Sequence, residues 1–295
     1  MRDIFIPINV LALVMYLASA VYYTAGIVLD TKRSADGLPV NKFGHYALLL
    51  LLAGIVVQVF ATGAWCVETH LSPFAGHYGT LSVLAWLMAI AIAVFHFRFK
   101  QPAIGAAALP VVCIVLLGGL LLASRRPDDA QVLQSEIVSI HVFSILASYA
   151  FFVVAFGCAC CYLIQNSLLK SHSTSPLQKK MPPLVTLDRV AFHSVAFALP
   201  CLTVGLAIGV VVMVRIDPTM TPMRWLLDPH NLVAFCTWLL YVSYVAARFL
   251  AGWRGVKLQY ILVAGLVLAL GLYCVPNFTH HFSPQLTSGS SRAIR

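Results

Sequence analysis

The stretch AIGAAALPVVCIVLLGGLLLA, residues Ala103–Ala123, contains no charged side chain. As an α-helix it would be about 30 Å long, which is the thickness of the hydrocarbon core of a lipid bilayer. A segment that is apolar over this whole length predicts a membrane-spanning helix. The rest of the chain has the same character, because hydrophobic residues make up 60% of it and charged residues only 10%. An ordinary soluble domain carries about 25% charged residues.

Eight apolar runs of roughly spanning length recur along the 295 residues, separated by short polar segments. We predict that they form an all-α integral membrane protein with eight transmembrane helices in a single domain, residues 1–295. The runs are Ile8–Leu29, Phe43–Trp65, Tyr78–Phe99, Ala103–Ala123, Ile137–Ile164, Ala191–Val214, Leu232–Phe249 and Leu258–Val275.

The basic residues predict the orientation. Twelve of the nineteen Lys and Arg residues lie in the segments after the first, third, fifth and seventh runs. Segments rich in Lys and Arg stay in the cytoplasm, so both termini are expected on the outer side. The net charge of +9 then reflects topology and attraction to anionic lipid, and it does not indicate nucleic acid as a partner.

The predicted topology divides the histidines into two groups. Those on or near the outer face are His70, His77, His141, His230, His280 and His281. Those near the inner face are His45, His96, His172 and His193.

His141 lies deeper than the other outer histidines, about one turn inside the fifth run. It shares one helical face with Gln134, Ser144 and Ser148. Polar groups at that depth are costly and normally face the bundle interior or a cavity. Three interpretations remain open: a haem pocket with imidazole ligands, a polar network that only locks helices together, and a metal or proton path. His45, His96 and His193 are a candidate second, inner site.

Four strings occur in a consistent order: HYGTLSVLAWL (His77–Leu87), HVFSILASYAFF (His141–Phe152), LDPHNLVAFCTWLLYVSYVAARFLAGWRG (Leu227–Gly255) and VPNFTHHF (Val275–Phe282). Together they resemble the cytochrome c assembly family, in its CcsA-type and compact HemX-like branch. LDPHNLVAFCTWLLYVSYVAARFLAGWRG, Leu227–Gly255, is similar to the family segment that runs from a tryptophan-rich external loop to a cytoplasmic turn. HVFSILASYAFF, His141–Phe152, resembles the helix that begins with an external haem-ligating histidine. HYGTLSVLAWL, His77–Leu87, resembles the third helix, and VPNFTHHF, Val275–Phe282, lies where the family has a second external histidine.

The chain also departs from the family pattern. The tryptophan-rich loop is reduced to Trp225, Asp228 and Pro229, and His230 and Asn231 replace a Lys-Glu pair. The inner histidine of the full synthases is absent, because Val245–Ala246 occupies that position. Asp228 and Pro229 are also explained simply as the N-cap and first residue of a helix.

The resemblance implies a site and a function. It implies that b-type haem binds non-covalently and transiently. His141 would be one axial ligand, and His280 or His281 would be the other. Of these two, we favour His281 as the metal ligand. Trp225, Asp228, His77 and His230 would line the same site.

The implied function is to hold or present haem at the outer face for c-type cytochrome assembly, in a bacterial-type inner (plasma) membrane. Its partners would be haem, an apocytochrome c or another assembly protein, and membrane lipid. The chain has no Cys-x-x-Cys-His motif, so it is not expected to act as an enzyme alone. The alternative is a HemX-type regulatory or scaffold membrane protein that does not ligate haem.

Overall fold

The fold was taken from a computed structural model. It describes residues 4–29, 42–74, 76–123, 136–171, 181–216, 221, 223 and 229–271. These residues form eight α-helices and no strand, which confirms the predicted all-α fold. The helices are α1 (Phe5–Leu29), α2 (Lys42–Thr69), α3 (Gly76–Phe99), α4 (Pro102–Leu121), α5 (Glu136–Lys170), α6 (Leu184–Ile216), α7 (Pro229–Phe249) and α8 (Val256–Gly271).

Seven of these helices, α1 to α7, are long and apolar enough to cross a bilayer. Helix α8 is apolar but has only 16 described residues. Its predicted run extends to Val275, and residues 272–275 lie outside the described part of the chain. The protein is therefore a multi-pass membrane protein.

Helices α5 and α6 are longer than their apolar runs. Helix α5 ends at Lys170 rather than Ile164, and α6 begins at Leu184 rather than Ala191. At 1.5 Å per residue, the 35 residues of α5 extend over about 52 Å, well beyond a hydrocarbon core. Each predicted run stops at the first polar residues. The helices continue beyond these points, and α5 and α6 pack against each other.

The helices form two rings of four with the same connectivity. In the first half α1 packs on α2, α2 on α3, α3 on α4 and α4 back on α1. In the second half α5, α6, α7 and α8 repeat this order, and α8 packs back on α5. Helix α5 joins the halves through α3 and α4. The two halves therefore have the same order of helix contacts.

Buried polar side chains link the helices of the first half. The Tyr16 hydroxyl on α1 donates to Oε1 of Gln58 on α2 at 2.7 Å. Nε2 of Gln58 in turn donates to the backbone carbonyl of Ser82 on α3 at 2.9 Å. Because lipid tails are as apolar as a helix surface, such bonds and close packing hold membrane helices together.

Small residues allow the two halves to approach each other closely. A Cβ atom added to Gly157 on α5 would lie 3.0 Å from Cβ of Ala108 and 3.1 Å from the carbonyl oxygen of Ile104, both on α4. Nearby, Sγ of Cys161 lies 3.2 Å from the carbonyl oxygen of Ala103. Helices α4 and α5 therefore pack with their backbones in close contact, which holds α5 against the first half.

We expect reporter fusions to verify the orientation. Alkaline phosphatase, which needs disulfides that form outside the cytoplasm, should be active when fused after Arg295 and inactive when inserted within residues 171–180. A fluorescent protein that matures only in the cytoplasm should give the opposite pattern. Phosphatase activity at residues 171–180 would put His141 on the cytoplasmic side and would refute an outer-face site.

Candidate functional site

Four helix ends lie on the side of the bundle that the predicted topology places outside the cytoplasm. His77 is the second residue of α3, His141 the sixth residue of α5, and His230 the second residue of α7. Helix α6 ends on the same face at Ile216. The His77 side chain is exposed, and the side chain of His230 is outside the described part. The fold therefore brings the starts of α3, α5 and α7 to one side of the membrane.

His141 makes the defining contact of this site. Its Nδ1 lies 2.7 Å from the backbone carbonyl oxygen of Gly205 on α6. A carbonyl oxygen can only accept a hydrogen bond, so Nδ1 carries the proton. In the neutral ring the lone pair is then on Nε2. Histidines that ligate metals usually have this arrangement, in which the second nitrogen donates to a carbonyl or carboxylate and fixes the ring.

Two glycines on α6 make room for this ring. A Cβ atom on Gly209 would lie 2.7 Å from Cε1 of His141, and one on Gly205 would lie 2.7 Å from Cγ1 of Ile145. Their four-residue spacing places both on one face of α6, as in the small-xxx-small pattern of packed membrane helices. These two glycines were not among the site residues predicted from the sequence. The string GLAIG in the sixth run indicates a close helix contact, because its two glycines are four residues apart.

Changing Gly209 to Ala should disturb the imidazole more than the overall stability. The new methyl carbon would lie only 2.7 Å from Cε1, so the ring must move and lose its bond to Gly205, which costs about 1 kcal/mol. The gain in helix propensity of about 1 kcal/mol offsets this. We expect a clear change in the ¹⁵N NMR shifts of the His141 ring, assigned from their absence in His141→Ala.

The matched control is Gly63→Ala, since nothing lies within 4 Å of a Cβ atom at Gly63 on α2. It should leave the His141 shifts unchanged. Unchanged shifts in the Gly209 variant as well would contradict the close contact between this glycine and the ring.

The two serines on the His141 face bond to their own helix. Ser144 Oγ donates to the carbonyl of Ile140 at 2.8 Å, and Ser148 Oγ donates to that of Ile145 at 2.7 Å. Cβ of Ser144 also lies 3.5 Å from the Cβ position of Gly205, so this face does point toward α6. The serines therefore belong to the α5–α6 contact and are not shown as ligands.

The segment between α2 and α3 packs beside the first turns of α5. The ring of Phe74 meets Phe143 edge-to-face with centroids 6.3 Å apart. Thr80 Oγ1 donates to the carbonyl of Phe74 at 3.1 Å. Gly79 is required here, because a Cβ atom would lie 2.6 Å from the carbonyl oxygen of Pro73. These contacts connect the start of α3, with His77, to the helix that carries His141.

Several predicted site residues lie outside the described part of the chain: Gln134, Trp225, Asp228, His280 and His281. Their positions relative to His141 stay predictions. Helix α7 does begin at Pro229, the first helical residue that the Asp-Pro pair predicted.

The inner histidines do not come together as a three-ligand site. His96 pairs with Tyr23, whose hydroxyl lies 3.1 Å from Nδ1, while His45 and His193 are exposed. Within the described ranges no group of three His, Cys, Asp or Glu side chains could hold a metal ion. The sequence could not exclude such a site, because similar depth on three helices does not reveal which faces they turn to each other.

Comparison with known proteins gives a consistent result. The sequence profile of the family described as "Cytochrome C assembly protein" matches residues 74–281. "Cytochrome c biogenesis protein CcsA" of Guillardia theta is 24% identical over 94% of each chain. The proteins of the same name from Prochlorococcus marinus strains AS9601 and MIT 9301 are 23% and 25% identical over 93% of each chain. No solved structure matches. Since the profile covers more than half of the residues, this chain belongs to the cytochrome c assembly protein family.

Proposed function

We propose that this protein binds haem at the outer face of a bacterial-type inner membrane and holds or presents it for c-type cytochrome assembly. Family membership supports the role in cytochrome c biogenesis, because a relative that matches 94% of the chain carries that name. The haem-binding step is our own inference and rests on the site around His141.

The geometry of His141 is the observation that carries this proposal. The ring is half-buried near the start of α5, and its Nδ1 donates to Gly205. This bond fixes the orientation of the ring and the tautomer in which Nε2 can serve as a ligand atom. The donor arrangement fits a metal ligand, and the same bond would also serve a histidine that only joins α5 to α6.

Bound haem would supply an iron that accepts imidazole nitrogens. His141 and either His280 or His281 would hold the haem through this iron. Trp225, Asp228, His77 and His230 would line the same site. The protein would orient haem for an apocytochrome c or another assembly protein, and the bond-forming step would need that partner.

One observation favours the second candidate, a HemX-type regulatory or scaffold protein. The described polar groups of this α5 face, at His141, Ser144 and Ser148, all bond to backbone carbonyls. A network of this kind is also sufficient to lock α5 onto α6 without any ligand. Haem binding therefore distinguishes the two functions.

A haem titration of the purified protein tests the proposal. The wild type should give a saturable Soret band with the sharp, shifted maximum of six-coordinate iron. His280→Ala combined with His281→Ala should convert it to a weaker, five-coordinate spectrum, since the axial ligands set the spectrum. His193→Ala, an exposed inner histidine, should behave as wild type. If wild-type protein gives no Soret band, the scaffold function is favoured.

A further inference from the structure

Three fully buried polar side chains in the second half lack a hydrogen-bond partner for one oxygen each. They are Tyr241 and Tyr244 on α7 and Gln259 on α8, all 0% exposed. The atoms are the two tyrosine hydroxyls and Oε1 of Gln259, and none makes a hydrogen bond of normal geometry with the described residues. The Tyr244 hydroxyl does lie close enough to Arg248 to interact with its guanidinium. Buried polar atoms are almost always bonded to protein or to ordered water, so these atoms require an explanation.

The three side chains border the same part of the interior. Tyr241 and Tyr244 are three residues apart and share a face of α7. The Tyr241 ring stacks on Phe152 of α5 with centroids 3.6 Å apart. On its other side the ring lies against α8, where a Cβ atom on Gly265 would be 2.9 Å from the hydroxyl oxygen. Gln259 is on that same helix, so α5, α7 and α8 enclose these groups.

An ion pair lies at the cytoplasmic end of this region. Nη1 and Nη2 of Arg248 on α7 each lie 2.9 Å from one carboxylate oxygen of Asp188 on α6. Nε2 of Gln259 donates to the same carboxylate at 3.3 Å. Tyr244 is one helical turn from Arg248 on the same helix face. The two tyrosines therefore lie further along α7 into the membrane than this largely buried ion pair.

The chemistry of these groups indicates the ligand class. Both oxygens of Asp188 are engaged by Arg248, so the carboxylate is already neutralised. The remaining groups are two phenol hydroxyls and one amide oxygen, which are uncharged. Divalent cations in proteins are normally bound by at least one free carboxylate, whereas water both donates and accepts and typically makes two to four bonds to groups like these.

We propose that Tyr241, Tyr244 and Gln259 enclose ordered water molecules that extend from the Asp188–Arg248 pair into the middle of the second half. If this region were dry, Phe at positions 241 and 244 would be the more stable choice, because an unbonded hydroxyl away from water is costly. The inference does not depend on haem binding.

Water-edited solid-state NMR of the full-length protein in lipid bilayers tests this directly. With ¹³C at the tyrosine ring carbons, magnetisation from water should reach Tyr241 and Tyr244 rapidly, and Tyr→Phe variants assign their signals. Tyr16 is the matched control, since it is equally buried but its hydroxyl is bonded to Gln58. Transfer to Tyr241 and Tyr244 as slow as transfer to Tyr16 would overturn the proposal.

The sign of a stability change provides a second, independent test. If water bonds the Tyr241 hydroxyl, Tyr241→Phe should lower the melting temperature by roughly 2–4 °C. If this hydroxyl is unbonded in a dry core, the same change should raise it, and the proposal fails. Tyr260→Phe, at a position 60% exposed on α8, should leave the melting temperature unchanged.

Discussion

Replacing His141 with Ala should weaken haem binding at least tenfold, which corresponds to about 1.4 kcal/mol. The change removes one axial nitrogen and also leaves the carbonyl of Gly205 without its side-chain donor. The remaining haem should be five-coordinate, with a broadened and shifted Soret band, because axial ligand identity sets both spectrum and potential. Titration of purified wild-type and variant protein at a single detergent concentration measures the effect.

Added imidazole should act as a specific rescue of the His141→Ala variant. The truncated side chain leaves space beside Gly209, whose backbone lies against the wild-type ring. Free imidazole that enters this space should restore a six-coordinate spectrum. The same treatment should have no effect on a variant that is merely misfolded. A Soret band and haem occupancy equal to wild type in His141→Ala would rule out this residue as a ligand.

The largest effect on stability should come from the ion pair between Asp188 and Arg248. Their side chains are 14% and 16% exposed, so most of each charge is removed from solvent. Removing one partner of such a pair leaves an uncompensated charge, which costs about 3 kcal/mol or more. Arg248→Leu or Asp188→Leu alone should therefore lower the melting temperature by roughly 6–12 °C.

The double variant separates the interaction from the individual residues. Asp188→Leu together with Arg248→Leu should recover much of the lost stability, because an apolar pair of similar volume needs no compensation. Arg98→Ala, at an exposed position, should cost less than about 1 kcal/mol. If the two single effects simply add in the double variant, the salt bridge does not hold α6 and α7 together.

Element type and approximate position could be predicted from the sequence for every helix. The fifth run, for example, was predicted to begin at Ile137 and α5 begins at Glu136. This succeeds because the free energy of moving a segment into lipid is close to a sum over its own residues. The inward orientation of His141 was predicted in the same way. A polar group one turn inside an apolar run is costly in lipid, whatever its neighbours are, so it is expected to face the bundle interior.

The partners of these residues could not be predicted in this way. Asp188 and Arg248 are 60 residues apart in the chain, and His141 and Gly205 are 64 apart. Which of them meet depends on how the helices rotate about their axes and which small residues let backbones approach. These contacts join residues that are far apart in the sequence. The mean hydropathy of a segment does not show which face of the helix makes them.

The sequence by itself therefore determined that this chain crosses the membrane many times and that His141 must face inward. Only the tertiary structure decided that the helices form two rings, that the His141 ring lies against Gly205 and Gly209, and that Tyr241 and Tyr244 are fully buried. The physical reason is that membrane insertion is governed by the composition of each segment. Helix association is governed by shape and by hydrogen bonds between distant residues.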